Sequence, residues 1–170
     1  MPVRQHRFEI LARALVPSLY RYAYWLAREK TLAEDLVQET LLRAWRSLDQ
    51  LRDEAAARQW LITILRREFA RELSKRKDTV DIDGLALADS RASLGGDDTD
   101  LHDVRRAMQK LAPEYREPLV LQVLMGCSTE EIAEQLELTQ ATVLTRLFRA
   151  RNQLREMLGG STARLGAAIA

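Results

Sequence analysis

The segment LTQATVLTRLFRAR, Leu138 to Arg151, carries groups suited to chemistry on a polyanion. Thr139, Thr142, Arg146 and Arg149 recur along a helical pattern, and hydroxyls and guanidiniums are ordinary partners of phosphate oxygens. Gln140, Ala141, Leu144 and Thr145 sit near the start of the same helix, where side chains reach base edges in a major groove. Arg151 extends the basic character of this face. A second basic run spans residues 66–77, where Arg66, Arg67, Arg71, Lys75, Arg76 and Lys77 outnumber Glu68 and Glu72. Catalytic patterns are missing: there is no Ser-His-Asp set, Gly-rich phosphate loop or organised carboxylate pair, so an enzyme is not expected. His6 and His102 are far apart without ligand spacing, and no metal or other cofactor is expected. Cys127, the single cysteine, is expected to be a small buried apolar residue.

These cations sit in a chain of nearly balanced charge, with 26 Lys and Arg against 25 Asp and Glu. The balance hides segregation. Between Asp78 and Asp103 there are eight Asp and one Arg, which separates the two basic runs. A local patch, not the net charge, sets the field that a polyanion meets. The 170 residues allow one large or two small domains, and 46% apolar residues suffice for a core. Seven Gly and four Pro among many Leu, Ala, Arg and Glu favour helix over strand. A lone cysteine and no signal-peptide pattern point to a reducing cytoplasm. No apolar run approaches the roughly 20 residues of a membrane span.

The elements that position these groups are all helical. The N-terminal part reads as about four helices. One runs from near Val3 to Leu15, and a second starts at Pro17, a residue suited to a first helical position. A third opens with Thr31-Leu-Ala-Glu34, a capping box, and carries Val37, Leu41, Trp45 and Leu48 as an inward stripe. A fourth, near Glu54 to Lys77, buries Trp60, Leu61, Ile64 and Leu65 before turning basic. The stretch 79–99 is rich in Asp, Gly and Ser, breaks helical periodicity and reads as a linker. Beyond it Asp100 can cap a helix bearing Leu101, Val104, Met108 and Leu111. Pro113 opens the next, to Met125, although Pro118 lacks an N–H for its first turn and allows a later start. Ser128-Thr-Glu-Glu131 is another capping box, leading a short helix to Leu136.

STEEIAEQLELTQATVLTRL then reads as a helix-turn-helix. Ile132, Ala133 and Leu136 face inward on its first helix, Val143 and Leu147 on its second, with Leu138 in the corner. Its acids (Glu130, Glu131, Glu134, Glu137) lie on the first helix and turn, its bases on the second, as groove insertion requires. A self-sufficient helix-turn-helix regulator with an N-terminal sensor or dimerisation domain also fits this half. The segment Leu32 to Trp45 points elsewhere: it exposes Glu34, Asp35, Gln38, Glu39, Leu42 and Arg43. A Leu among exposed carboxylates marks a protein-binding surface.

AEDLVQETLLRAW, then WLITILRREFARELSKRK, an acidic linker and STEEIAEQLELTQATVLTRLFRARNQL together resemble a sigma-70 family RNA polymerase sigma factor of the short, two-domain extracytoplasmic-function (ECF) type. The resemblance implies an all-α fold of two small helical domains: region 2 over 1–78, an acidic linker over 79–100, region 4 over 101–158 and a tail over 159–170. It implies core RNA polymerase and promoter DNA as partners, and an anti-sigma factor that holds the protein inactive. Glu34, Asp35, Gln38, Glu39 and Leu42 would dock on the clamp of the polymerase beta-prime subunit, with the beta subunit a further partner. Trp60, Arg66, Arg67, Arg71, Lys75 and Arg76 would engage the promoter −10 element. One unpaired base would enter a pocket built mainly by the loop at about Leu48 to Arg58. Thr139, Gln140, Thr142, Leu144, Thr145, Arg146 and Arg149 would contact the −35 duplex. The acidic linker would thread toward the basic RNA exit path. Two departures stand out. Arg67 and Arg71 replace residues that are often Asn and Asp, making the −10 surface more basic. Leu144 stands where Lys is common, which loses a polar contact and suits a thymine methyl.

Overall fold

The computed structural model describes residues 2–79 and 99–159. The described residues form α-helices with short 3₁₀ turns and fall into two compact units. The 79–100 linker and the 159–170 tail lie almost wholly outside them.

The first unit packs α1 (Pro2–Ala27), α2 (Lys30–Arg46) and α3 (Ala57–Thr79) against one another. Its core joins Leu19, Tyr22 and Ala23 of α1 to Leu32, Ala33, Leu36, Val37 and Ala44 of α2 and Leu61, Ile62 and Leu65 of α3. The expected break at Pro17 is absent, and α1 is one helix with Pro17 inside it. Pro17 lies on the solvent side, where water can satisfy the carbonyl its missing N–H leaves open. Buried Leu19 and Tyr22 hold the helix on course beyond it.

The Thr31 capping box is also corrected. Arg28 turns the chain with φ 55° and Glu29 is extended, so α2 starts at Lys30, with Glu29 as an N-cap that makes no side-chain bond. The inward stripe of α2 is shifted too: Trp45 is 37% exposed and Leu41 half-buried, while Leu32, Ala33, Leu36 and Thr40 are buried. Thr40 is tolerated there because its hydroxyl donates to the Leu36 carbonyl at 2.7 Å. In α3 Ile62 is buried, whereas Trp60 and Ile64 are half-buried. The helix proper begins at Ala57, after a 3₁₀ turn at Glu54–Ala56.

The second unit comprises α4 (Thr99–Lys110), α5 (Pro113–Met125), α6 (Thr129–Leu136) and α7 (Gln140–Met157). Here α4 starts one residue ahead of the expected Asp100 cap. Pro113 opens α5, and buried Pro118 sits inside it. Gly126 ends α5 at φ 62°, where a residue without Cβ is favoured, and the Cys127 N–H donates back to the Leu121 carbonyl at 3.1 Å. Cys127 is buried, as expected of a small apolar residue. Leu119, Leu121, Ile132, Val143, Leu147 and Leu154 fill this core.

Candidate nucleic-acid and polymerase interfaces

Local chemistry sets the helix-turn-helix. The Ser128 hydroxyl accepts the Glu131 N–H at 3.1 Å, and the Thr139 hydroxyl accepts the Thr142 N–H at 3.2 Å, so both helices start on side-chain caps. Between them Glu137 adopts φ 55°, and the Leu138 N–H donates to the Ala133 carbonyl at 2.9 Å. That closure turns the chain within the three residues 137–139. Ile132 and Ala133 of α6 and Val143 and Leu147 of α7 are buried beneath it, with Leu136 and Leu138 half-buried.

The opposite face of α7 is open. Gln140, Ala141, Leu144, Thr145 and Arg149 are exposed, Thr139 precedes them at the exposed cap, and Thr142 and Arg146 are half-buried beside them. Thr145 also bonds the Ala141 carbonyl at 3.0 Å, and the Thr139 and Thr142 hydroxyls pair at 2.8 Å. Leu144 is 55% exposed, and one turn on Phe148, not among the expected site residues, is 64% exposed; their i, i+4 spacing puts both on one face. Arg151 is not on this face in function: its guanidinium donates to Gln122 of α5 and ties the two helices.

On α2, Glu34, Asp35, Gln38 and Leu42 are exposed and Glu39 is half-buried, one acidic face with Leu42 half-exposed within it. Lys30 lies 4.0 Å from Glu34. Arg43 borders the face and turns inward, 3.2 Å from Glu39 and 2.5 Å from Glu68 of α3. Glu68 is only 6% exposed and also faces Arg71 at 3.6 Å, so a buried carboxylate is matched by two cations.

The basic face of α3 is accordingly divided. Arg67 and Lys75 are exposed, as is Arg71 despite its pairing. Arg66 donates to the Tyr22 hydroxyl at 2.9 Å. Arg76 lies 3.6 Å from both Glu29 and Glu72. Trp60 is half-buried against Leu48, Leu51 and Ala57, so its ring contributes to the core. The loop from Leu48 joins this cluster: Leu48 and Leu51 are buried, while Asp49, Gln50, Arg52 and Asp53 are exposed. Arg4 and Arg7 of α1 bond this loop, contacts that no local pattern signals.

Two families of match cover both units. The family model for Sigma-70 region 2 matches residues 11–79, and that for Sigma-70, region 4 matches residues 101–154. The chain is 37% identical over 148 residues to the ECF RNA polymerase sigma factor EcfG of Rhodopseudomonas palustris, covering 85% of this chain and 81% of that one. The chain belongs to the sigma-70 family, ECF type. This sigma factor is also 31% identical to the RNA polymerase sigma factor CarQ of Myxococcus xanthus, over 91% of each chain. Among solved structures it resembles the sigma factor RpoE of Bartonella quintana, in complex with the anti-sigma factor NepR. That match has a TM-score of 0.72 and 33% identity, over 91% of this chain and 98% of the other. It also resembles CnrH in complex with the cytosolic domain of CnrY, with a TM-score of 0.65 and 26% identity, over 93% and 91%.

Family membership accounts for the absence of a catalytic constellation, since sigma factors are initiation factors and not enzymes. It also decides between the two readings of the second unit, because a stand-alone regulator does not carry region 2. Among the described residues no helix is long and apolar enough to cross a membrane. Of the expected −35 residues, Gln140, Leu144, Thr145 and Arg149 are exposed on α7, Thr142 and Arg146 lie at the edge of the buried stripe, and Thr139 is the cap; the expected polymerase-binding residues share one side of α2. The expected −10 residues do not form one free surface: Arg66, Arg71 and Arg76 are engaged within the unit.

Proposed function

We propose that this sigma factor delivers core RNA polymerase to promoters through three surfaces. Residues 1–78 act as region 2, residues 101–158 as region 4, and residues 79–100 as an acidic connector between them. The exposed face of α2, with Glu34, Asp35, Gln38, Glu39 and Leu42, docks on the beta-prime clamp. Carboxylates steer it toward a basic partner, and Leu42 supplies an apolar anchor. Trp60, Arg66, Arg67, Arg71, Lys75 and Arg76, with the Leu48–Asp53 loop, take the −10 element once its strands separate. The α7 face enters the −35 major groove: Thr139, Thr142, Arg146 and Arg149 hold phosphates, while Gln140, Leu144 and Thr145 meet base edges.

The observation that carries this reading is the pairing, in one chain, of a free acidic-plus-Leu helix face with a capped helix-turn-helix. The first surface has no use in a self-sufficient DNA binder. The protein works in the cytoplasm, where polymerase and DNA are, and an anti-sigma factor covers its surfaces when it is inactive. The RpoE complex supports that last point, since it holds the anti-sigma factor NepR.

Run-off transcription with reconstituted holoenzyme tests the proposal. Transcripts from a matched promoter should require both core enzyme and this chain. Asp35→Ala with Leu42→Ala should weaken core binding at least about thirtyfold, as expected for loss of an interface hot spot. Tight, specific promoter binding by the chain alone, with no gain on adding core, would overturn it.

A further inference from the structure

The Leu48–Asp53 loop is shaped by side chains from the far end of α1. The Arg4 guanidinium donates to the Trp45 carbonyl at 2.7 Å, where α2 is ending, and lies 3.5 Å from the Asp49 carboxylate. It also sits 5.1 Å over the Trp45 ring, which meets Phe8 edge-to-face at 5.3 Å. One turn along, Arg7 donates to the Leu51 carbonyl at 2.8 Å and to the Glu54 carboxylate at 3.0 Å. Arg4 thus fixes the loop's entry and Arg7 its exit. Beneath them Leu48 and Leu51 pack on Phe8, Leu11, Leu15 and Trp60. Asp53 closes the far side by accepting the Ala55 N–H at 2.9 Å.

What remains outside is a short polar rim. Gln50 offers an amide donor and acceptor, and Arg52 a fork of donors. Neither side chain has a partner among the described residues. A loop that is ordered before it meets its ligand loses no affinity to ordering. Selectivity among bases depends on that order, because edge recognition requires donors and acceptors held at fixed places.

We propose that Arg4 and Arg7 are positioning residues for −10 recognition: they hold the Leu48–Asp53 loop in the shape that receives the unpaired base. This rests on the reading of that loop given above. Neither arginine needs to touch DNA. Their effect lies in base selectivity, while core binding through α2 and −35 binding through α7 are separate.

The test uses reconstituted holoenzyme and four forked promoters that differ only in the unpaired −10 base. Run-off rates give the ratio of the preferred to the least preferred base. Arg4→Ala and Arg7→Ala should lower that ratio about three- to tenfold, the cost of ordering one or two side chains and their loop. Affinity for core and for −35 duplex should not change. Arg7→Lys keeps the charge and can reach one of the two partners, so it should restore part of the ratio. If Arg7→Ala does not fold, Arg4→Ala and Arg7→Lys carry the same measurement. Rates that fall equally for all four bases, or do not fall, would overturn the inference. Gln50→Ala and Arg52→Ala separate the two levels. If they change the ratio and the α1 variants do not, only the positioning role fails; if they too leave it unchanged, the reading of the loop fails.

Discussion

On α3, Arg66 bonds Tyr22, Arg71 faces Glu68, and Arg76 lies between Glu29 and Glu72. On α7, Arg149 projects into solvent and Arg146 flanks the same face, with no ion pair to either among the described residues. Both helices count as basic in the sequence, yet they differ in how much positive charge is available. Arg146 and Arg149 can meet phosphates without giving up an ion pair. Arg66, Arg71 and Arg76 of α3 must exchange carboxylates or a phenol for phosphate, so each of these contacts nets less than its charge suggests. Such exchange is easier when polymerase already holds the DNA nearby. A nearly neutral chain can therefore serve a promoter, with one surface ready and another that becomes useful within the holoenzyme.

The largest test of this contrast removes the buried acid. Glu68→Ala leaves Arg43 without its interhelical partner, and it should destabilise the first unit by about 2 kcal/mol, the scale of a lost charge-assisted bond. Thermal unfolding should detect it, whereas Arg149→Ala on α7 should leave the transition temperature in place. Arg151→Ala comes next. Although it is as basic as Arg149, it anchors α7 to Gln122 and should cost about 1 kcal/mol in the same assay. A third test reads charge directly. Leu144→Lys adds a free cation to the open face, and the salt dependence of holoenzyme binding to a −35 duplex should steepen by about one unit, with Arg149→Ala lowering it by as much. The smallest effect is expected from Glu72→Gln. Removing one of the two carboxylates beside Arg76, with Glu29 still in place, should raise affinity for single-stranded −10 DNA by about two- to fivefold, in line with the small strength of such pairs. If Glu72→Gln instead matched Leu144→Lys in size, the two helices would not differ as described.

Much of the second unit was legible because its signals are local. Ser128 caps α6 as its pattern predicts, Pro113 opens α5, and Ile132, Ala133, Val143 and Leu147 fall inward at helical spacing. The exposed acids of α2 were legible for the same reason. Where a local pattern misled, residues outside that pattern decided the outcome. Thr31 has the pattern of a cap, but Arg28 and Glu29 turn the chain earlier and leave it inside the helix. Pro17 ends a helix only if nothing carries the chain past it, and Leu19 and Tyr22 do so by packing. Trp45 suits a core, yet it lies at the edge against Phe8 and Arg4. Arg66 and Arg151 carry charges that suit DNA and spend them on Tyr22 and Gln122. The sharp turn at Glu137 was expected, but not that a non-glycine residue would make it in the left-handed region.

The uninterrupted α1 has a mechanical consequence. Its 26 residues make a rod about 39 Å long. Near one end Arg4 and Arg7 grip the loop, and toward the other Tyr22 receives Arg66 from α3. One continuous backbone element thus carries both attachments. A substitution that breaks α1 between them would therefore release the loop and the Tyr22–Arg66 bond together.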